Sequence, residues 1–475
     1  MKAKKILLIM PDANMHKLRF GSFVRSAREA PITLTTLAAL SGNDPEIEYR
    51  LVDESIDIVP LDYAADLVGI SVMTGTSQRA YALADHFRRR GIPVVLGGIH
   101  VTLCHNEAQR FADTLVFGMA DESWPRLIAD FKLGNLQLEY RETLSQGPYT
   151  RTTTPPPRYD LQRKSGYMVP YVVQATRGCM HACDFCSVPA YWNRFTRRPV
   201  ADVIRDIKSI PAKRFVLNDV SPVDDVEYAK ELFKALIPLK KTWGGLATTQ
   251  IVDEPELFDL MVKSGCEYLL LGFESVNQNA LDKIGKRFNS TERYHELMRM
   301  LHKSHIVVQG CFVFGFDHDH QDVFAKTVQR VQELKIDIPR YSIYTPYPGT
   351  RLFKRLEEEN RILSYNWSDY NTMHVVYQPK NMSATELYEG FRWAYRETFK
   401  ISKIWERTKQ SGHKFPITFM GNLTYNLFSK RLYTRPGFEM RVHGRDAFLE
   451  TKNTSVPLIT TRNSEIQNDS HLSNQ

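Results

Sequence analysis

Cysteine is scarce, six in 475 residues, and too unevenly spread for the disulfide framework that staples small secreted domains. No apolar run approaches the roughly 20 residues that a bilayer-spanning helix needs. No segment recurs at a fixed period, which sets solenoids and propellers aside. A secretion signal is also missing. Met1-Lys2-Ala3-Lys4-Lys5 precedes a short apolar stretch, residues 6–10, and Pro11-Asp12 follows with no small-residue cleavage site. That stretch predicts a first buried strand and, without a leader, a cytoplasmic protein. Hydrophobic content of 43% against 24% charged residues is ordinary for a chain that buries a sizeable core. The net charge of +8 suits an anionic substrate, nucleic acid or anionic lipid, and equally a plain solvated surface.

The length predicts two or three domains. Residues 1–133 alternate apolar runs at 6–10, 49–52, 67–73, 94–96 and 114–117 with amphipathic stretches at 77–90, 107–112 and 122–131. Runs buried on both faces and separated by helices predict a doubly wound parallel sheet, with ligands at the strands' carboxyl ends. Residues 134–166 lose that rhythm, and Arg151-Thr152-Thr153-Thr154-Pro155-Pro156-Pro157 reads as a stiff linker. A second series then runs at 171–175, 215–217, 245–249, 268–273, 307–314 and 341–344, with helical stretches between. Six strand–helix units within 167–355 predict a partial α/β barrel. Residues 356–450 read as mostly helical and the polar tail 451–475 as disordered.

Half of the cysteines crowd into Cys179-Met180-His181-Ala182-Cys183-Asp184-Phe185-Cys186, just after the first barrel strand, where sites in such folds gather. Three thiolates satisfy three irons of a four-iron cluster and leave the fourth open for a cofactor or substrate. Gly178 lets the backbone wrap closely around such a cluster. A zinc site with His181 as fourth ligand is the rival, although zinc sites draw paired ligands from two separated segments and no second pair stands nearby.

CxxxCxxC with an aromatic before its last cysteine resembles the signature of the radical S-adenosylmethionine (SAM) superfamily. The resemblance implies a [4Fe-4S] cluster on Cys179, Cys183 and Cys186 whose open iron binds SAM and cleaves it to a 5′-deoxyadenosyl radical. It implies an external one-electron reductant of the flavodoxin or ferredoxin type. Phe185 matches the aromatic near adenine, and Asn218-Asp219 stands where a polar pair commonly faces SAM. Glu274-Ser275 resembles the motif that contacts the ribose or amino-acid part. Gly315, in Phe312-Val313-Phe314-Gly315-Phe316-Asp317, matches a backbone contact to adenine, with Asp and His where Glu often stands. Residues 344–350 match the end of the sixth strand in one branch of the superfamily.

The first domain narrows the branch. Residues 66–74, 93–100 and 113–118 resemble the cobalamin-binding domain, in which Gly97 and Gly98 admit the nucleotide tail while Ser71 and Thr74 hydrogen-bond it. The DxHxxG motif that ligates cobalt is absent, and His16 in the first loop has the wrong spacing to replace it. The likeness is to hopanoid methylases and the anaerobic magnesium-protoporphyrin cyclase. It implies a C-methyltransferase acting on a small-molecule or lipid-like substrate, with a non-methylating oxidoreductase or cyclase as the second reading. An electron-carrying iron–sulfur protein is the third, though a carrier has no use for Glu274-Ser275 or Gly315. A transfer-RNA methylthiotransferase would need three further cysteines in the first domain, where only Cys104 stands, so nucleic acid is not an expected partner. Cys266 and Cys311 read as small core hydrophobes at strand starts. Residues 399–441 interleave cations with aromatics, which reads as an amphipathic helical cap, with a lipid-facing or nucleic-acid surface as the alternative and a peripheral membrane contact as its lipid form.

Overall fold

The computed structural model describes residues 3–12, 17–20, 23–26, 29–142, 154–192, 195–409, 411 and 414–434. His16, Arg151-Thr152-Thr153, the tail 451–475 and the end of the 399–441 segment lie outside them. Among the described residues no helix is long and apolar enough to cross a membrane.

The first sheet holds β1 (Lys4–Met10), β2 (Ile47–Asp53), β3 (Leu67–Ser71), β4 (Val94–Gly97), β5 (Thr114–Val116) and β6 (Glu139–Tyr140). All pairs are parallel, in the order β2-β1-β3-β4-β5-β6. Successive residues of β1 serve opposite cores, which is why its sequence is apolar throughout. Leu7 and Ile9 pack with Val68, Ile70 and the helix Ser77–Arg89, while Ile6 and Leu8 pack with Val95, Trp124 and the helix Ser123–Leu133. The sheet runs past residue 133, because Leu115 and Val116 pair with Glu139 and Tyr140. A two-residue strand carries no periodic signal, so the sequence reading gave this stretch to the linker.

The second sheet holds β7 (Val172–Val173), β8 (Arg214–Leu217), β9 (Thr242–Ala247), β10 (Cys266–Glu274), β11 (Val307–Phe314) and β12 (Ile338–Ile343). Each pairs in parallel with the next, giving the predicted six-stranded partial barrel. Along β11, Val308, Gly310, Phe312 and Phe314 are buried beneath the outer helices, while Gln309, Cys311 and Val313 are half-buried on the inner face. Cys311 therefore departs from the expectation of a core residue at a strand start. The strand begins at Val307, and the alternation turns Cys311 inward.

Helices Ala384–Thr398, Ile401–Thr408 and Phe415–Thr434 close the open flank beside β12. Tyr395 donates to the Tyr341 carbonyl at 2.9 Å, and Phe399, Ile404 and Leu432 join the barrel core. The described part of the 399–441 segment thus packs as a cap, leaving Ile401, Trp405, Ile417 and Met420 exposed.

Candidate active site

The cysteine loop is fastened from several sides before any metal enters. The Asp224 carboxylate accepts from the Cys179 thiol at 3.3 Å and from the Met180 N–H at 3.1 Å. Asp184 donates its N–H to the Ile284 carbonyl at 3.1 Å and accepts from the Tyr344 hydroxyl at 2.7–2.8 Å. Phe185 meets the Tyr344 ring edge-on, with centroids 5.7 Å apart. Burial pushes the Cys179 and Cys183 thiols up to about 12, so each is protonated at neutral pH until iron displaces the proton. Three thiols on one partly buried loop, each free of a disulfide, form a donor set that fits a [4Fe-4S] cluster.

The zinc alternative fares worse. His181 stacks on Phe288 at 3.8 Å, with its Nε2 3.3 Å from Asp224 Oδ1. Among the described residues no three His, Cys, Asp or Glu side chains converge as one ion would require. A cubane asks instead for separated sulfurs, one at each of three corners.

Glu274 ends β10 with φ +62, a left-handed conformation that is costly for a side chain with a Cβ. A register shift between Gly272 and Glu274 turns the carboxylate inward, where Oε1 accepts from Lys286 Nζ at 2.7 Å. Burial alone would lower the ammonium's pKa, but Glu274 and the thiols of Cys183 and Cys186 outweigh it and hold the pKa above its ordinary value. Sequence reasoning missed Lys286, since a lysine after a short helix carries no motif. Ser275 is buried, and its Oγ accepts from the Asn277 N–H at 3.0 Å.

Two expected SAM contacts are placed differently. The Gly315 N–H is already donated to Asp319 Oδ2 at 2.9 Å, and its carbonyl accepts from the Tyr377 hydroxyl. Its N–H is therefore committed within the protein, and its carbonyl keeps a second lone pair for a ligand. Asp219 is fully buried, and its Oδ1 accepts from the Ala175 N–H at 2.9 Å, from the Thr176 hydroxyl at 2.8 Å and from the Thr176 N–H. It thus shapes the turn into the cysteine loop, while Oδ2 has no partner among the described residues.

A cavity of about 360 Å³ lies between the two sheets. Gly69, Ser71, Gly97, Gly98, Gly118 and Trp124 line it from the first domain, and Gln174, Arg177, Asn218, Asp219 and Leu246 from the barrel. A Cβ on Gly98, at φ +102, would lie 2.9 Å from the backbone N and O of Val72, so only glycine fits. Ser71, Gly97 and Gly98 thus reach the cavity as expected. Thr74 does not line it. The chain turns at Met73 into a 3₁₀ helix that buries Thr74 with its Oγ1 3.4 Å from His100 Nδ1. Arg177, which sequence reasoning also missed, forms a nearly buried ion pair with Asp121 across the two domains. Glycine-lined backbone facing a polar wall of Gln174, Arg177, Asn218 and Asp219 suits a large, polar-edged cofactor such as cobalamin.

Comparison with known proteins agrees with this division. Residues 173–331 match the radical SAM superfamily, residues 31–128 the B12 binding domain, and residues 350–420 a domain of unknown function, DUF4070. The chain is 28% identical over 441 residues to the bacteriochlorophyllide d C-12(1)-methyltransferase of Chlorobaculum tepidum, covering 90% of this chain and 94% of that protein. It is 25% identical over 337 residues to the anaerobic magnesium-protoporphyrin IX monomethyl ester cyclase of Cereibacter sphaeroides, covering 64% of this chain and 55% of that one. Among solved structures, the cobalamin-dependent S-adenosylmethionine radical enzyme OxsB with aqua-cobalamin bound superposes with a TM-score of 0.62 at 13% identity, over 92% of this chain and 74% of that one. That likeness is one of fold.

Proposed function

The chain belongs to the radical SAM superfamily, in the branch whose barrel follows a B12-binding domain, and we propose that it is a cobalamin-dependent C-methyltransferase acting on a small-molecule or lipid-like substrate. The observation that carries this reading is one cavity walled by Gly97 and Gly98 on one side and by the strand leading into the cysteine loop on the other. When bound, the cluster with SAM supplies a hydrogen-abstracting radical and cobalamin supplies a methyl carrier. The protein's own part is to hold reactants in line and exclude water. Cys179, Cys183 and Cys186 would ligate the cluster, and Asp224 and Asp184 keep their loop in place. Glu274, turned inward and ion-paired to Lys286, presents a carboxylate to the hydroxyl or ammonium groups of SAM. Ser275 would contact the ribose or amino-acid part and Phe185 the adenine. Ser71, Gly97 and Gly98 would seat the cobalamin tail, with Asp219 Oδ2 and Arg177 facing it.

The enzyme would work in a reducing cytosol with a flavodoxin- or ferredoxin-type reductant. The exposed Ile401, Trp405, Ile417 and Met420 support a peripheral membrane contact if the substrate is a lipid. The test is turnover of the reconstituted enzyme with SAM labelled in its methyl group and a small-molecule extract. We expect 5′-deoxyadenosine and S-adenosylhomocysteine in equal amounts, each matched to a product carrying one labelled methyl. The triple Cys→Ala variant should yield neither. Deoxyadenosine and a converted substrate without S-adenosylhomocysteine would overturn methyl transfer in favour of the oxidoreductase or cyclase reading.

A further inference from the structure

The inner wall of the barrel carries a cation with no hydrogen-bonded counterpart among the described residues. On β12, Pro339, Tyr341 and Ile343 are buried toward the outer helices, so the half-buried Ile338, Arg340 and Ser342 face inward. Arg340 lies opposite Cys311 on β11, and Cys311 opposite Gly272 on β10. This single row crosses three strands, or roughly 10 Å at the usual interstrand spacing. It ends beside the catalytic centre, for a Cβ on Gly272 would lie 2.9 Å from Lys286 Nζ and against Glu274. The Cys311 thiol sits between the two ends: burial raises its pKa, and Arg340, Glu274 and Lys286 all act on it.

The fully buried arginines Arg198 and Arg407 find acceptors for their terminal nitrogens, although the Nε of each has none. Arg198 pairs with Asp206 at 2.6 Å, and Arg407 donates to Gln332, the Thr398 carbonyl and Asn422 at 2.8 Å each. Arg340 donates no hydrogen bond to any described residue. The groups that act on it most strongly are the phenols of Tyr425, Tyr395 and Tyr268 and the Cys311 thiol, and it acts in turn on Tyr347. Glu29 acts on Tyr268 of this cluster. Arg340 keeps part of its surface open, so its guanidinium fork is free to meet an acceptor that a ligand supplies.

We propose that Arg340 anchors the substrate of this barrel, and that the substrate carries an oxyanion, a carboxylate or a phosphate, gripped by the guanidinium fork. The proposal rests on the methyl-transfer reading for what happens next to the anchored molecule. Recognition itself needs only the planar fork, which matches either anion in a bidentate manner. The half-buried rings of Tyr268 and Tyr425, which act on Arg340, offer apolar surface nearby, suited to an anion on an otherwise apolar body.

The test is equilibrium dialysis of octanoate, octyl phosphate and octanol against the cluster-loaded wild type, Arg340→Met and Arg340→Lys. Equal iron content in all three certifies the fold, and Arg340→Lys, which keeps the charge, serves if Arg340→Met does not fold. One or both anions should bind the wild type more tightly than octanol does. Loss of the fork should weaken that binding about ten-fold in Arg340→Met, with Arg340→Lys between, as expected when charge-assisted bonds are removed. Octanol should bind all three alike. Preference for octanoate or for octyl phosphate assigns the carboxylate or the phosphate. Anion binding no tighter than octanol, or equally tight in every variant, would overturn the anchor. Because the measurement needs neither turnover nor cobalamin, a failure of methyl transfer leaves its outcome unaffected.

Discussion

The Asp319 carboxylate holds the bend after β11 by accepting the N–H groups of Gly315 and Phe316 at 2.9 and 3.0 Å. Burial pushes its pKa up to about 7, against the pull of those two bonds. A carboxyl whose folded pKa lies above its unfolded one binds a proton more tightly in the native state. Its contribution to stability is therefore present at low pH and is lost as pH rises from about 4 through 7, by at most about 4 kcal/mol. An asparagine accepts the same two N–H bonds and never ionises. We expect Asp319→Asn to gain stability over the wild type progressively between about pH 5 and pH 8. Urea midpoints measured across that range check this, and a constant gap between the two proteins would refute the ionisation argument. Lys286 teaches the complementary point, since its importance lies wholly in its 2.7 Å contact with Glu274 beside the cysteines.

At the scale of elements, β4 and the short helix after it depend on one backbone conformation. Gly98 starts the helix Ile99–Leu103 at φ +102, with Val72 packed directly against the place a Cβ would occupy. Gly98→Ala has to adopt a conformation costing about 1–3 kcal/mol and to displace the backbone at Val72, which follows β3. We expect a thermal midpoint lowered by several degrees, cobalamin uptake reduced at least about ten-fold, and iron content unchanged, because the barrel is a separate core. Uptake equal to that of the wild type would show that the Gly97-Gly98 cradle is not the tail site. The end of β10 follows the same logic, with the left-handed Glu274 buying its inward direction at the expense of backbone strain.

The whole molecule is two parallel sheets presenting their carboxyl ends to one shared cavity, bridged by the Arg177–Asp121 ion pair and by the Trp367 indole N–H donated to Glu107 at 2.8 Å. No histidine stands among the described residues lining that cavity. We predict that none of these lining residues would supply a nitrogen ligand to cobalamin held there. Electron paramagnetic resonance of the reduced cob(II)alamin-loaded protein should show no nitrogen splitting from an axial ligand. A triplet splitting that disappears in His16→Ala would assign the ligand to the first loop and overturn this reading.

What the sequence determined alone was set by periodicity and spacing. Runs buried on both faces dictate parallel strands, because only a sheet covered on each side can bury every residue of a strand such as 6–10. Cysteines separated by three and two intervening residues on one loop are local, so their shared role could be read before any fold was known. Tertiary structure decided whatever depends on direction and on distant neighbours. The Gly315 backbone is occupied by Asp319 and Tyr377, Asp219 turns one oxygen back toward Thr176, and Thr74 faces His100 instead of the cavity. Lys286, Arg177 and Arg340 carried no motif because each acts through a partner, or the want of one, brought near by strand order. Strand alternation and register turn Cys311 and Arg340 to the inner face.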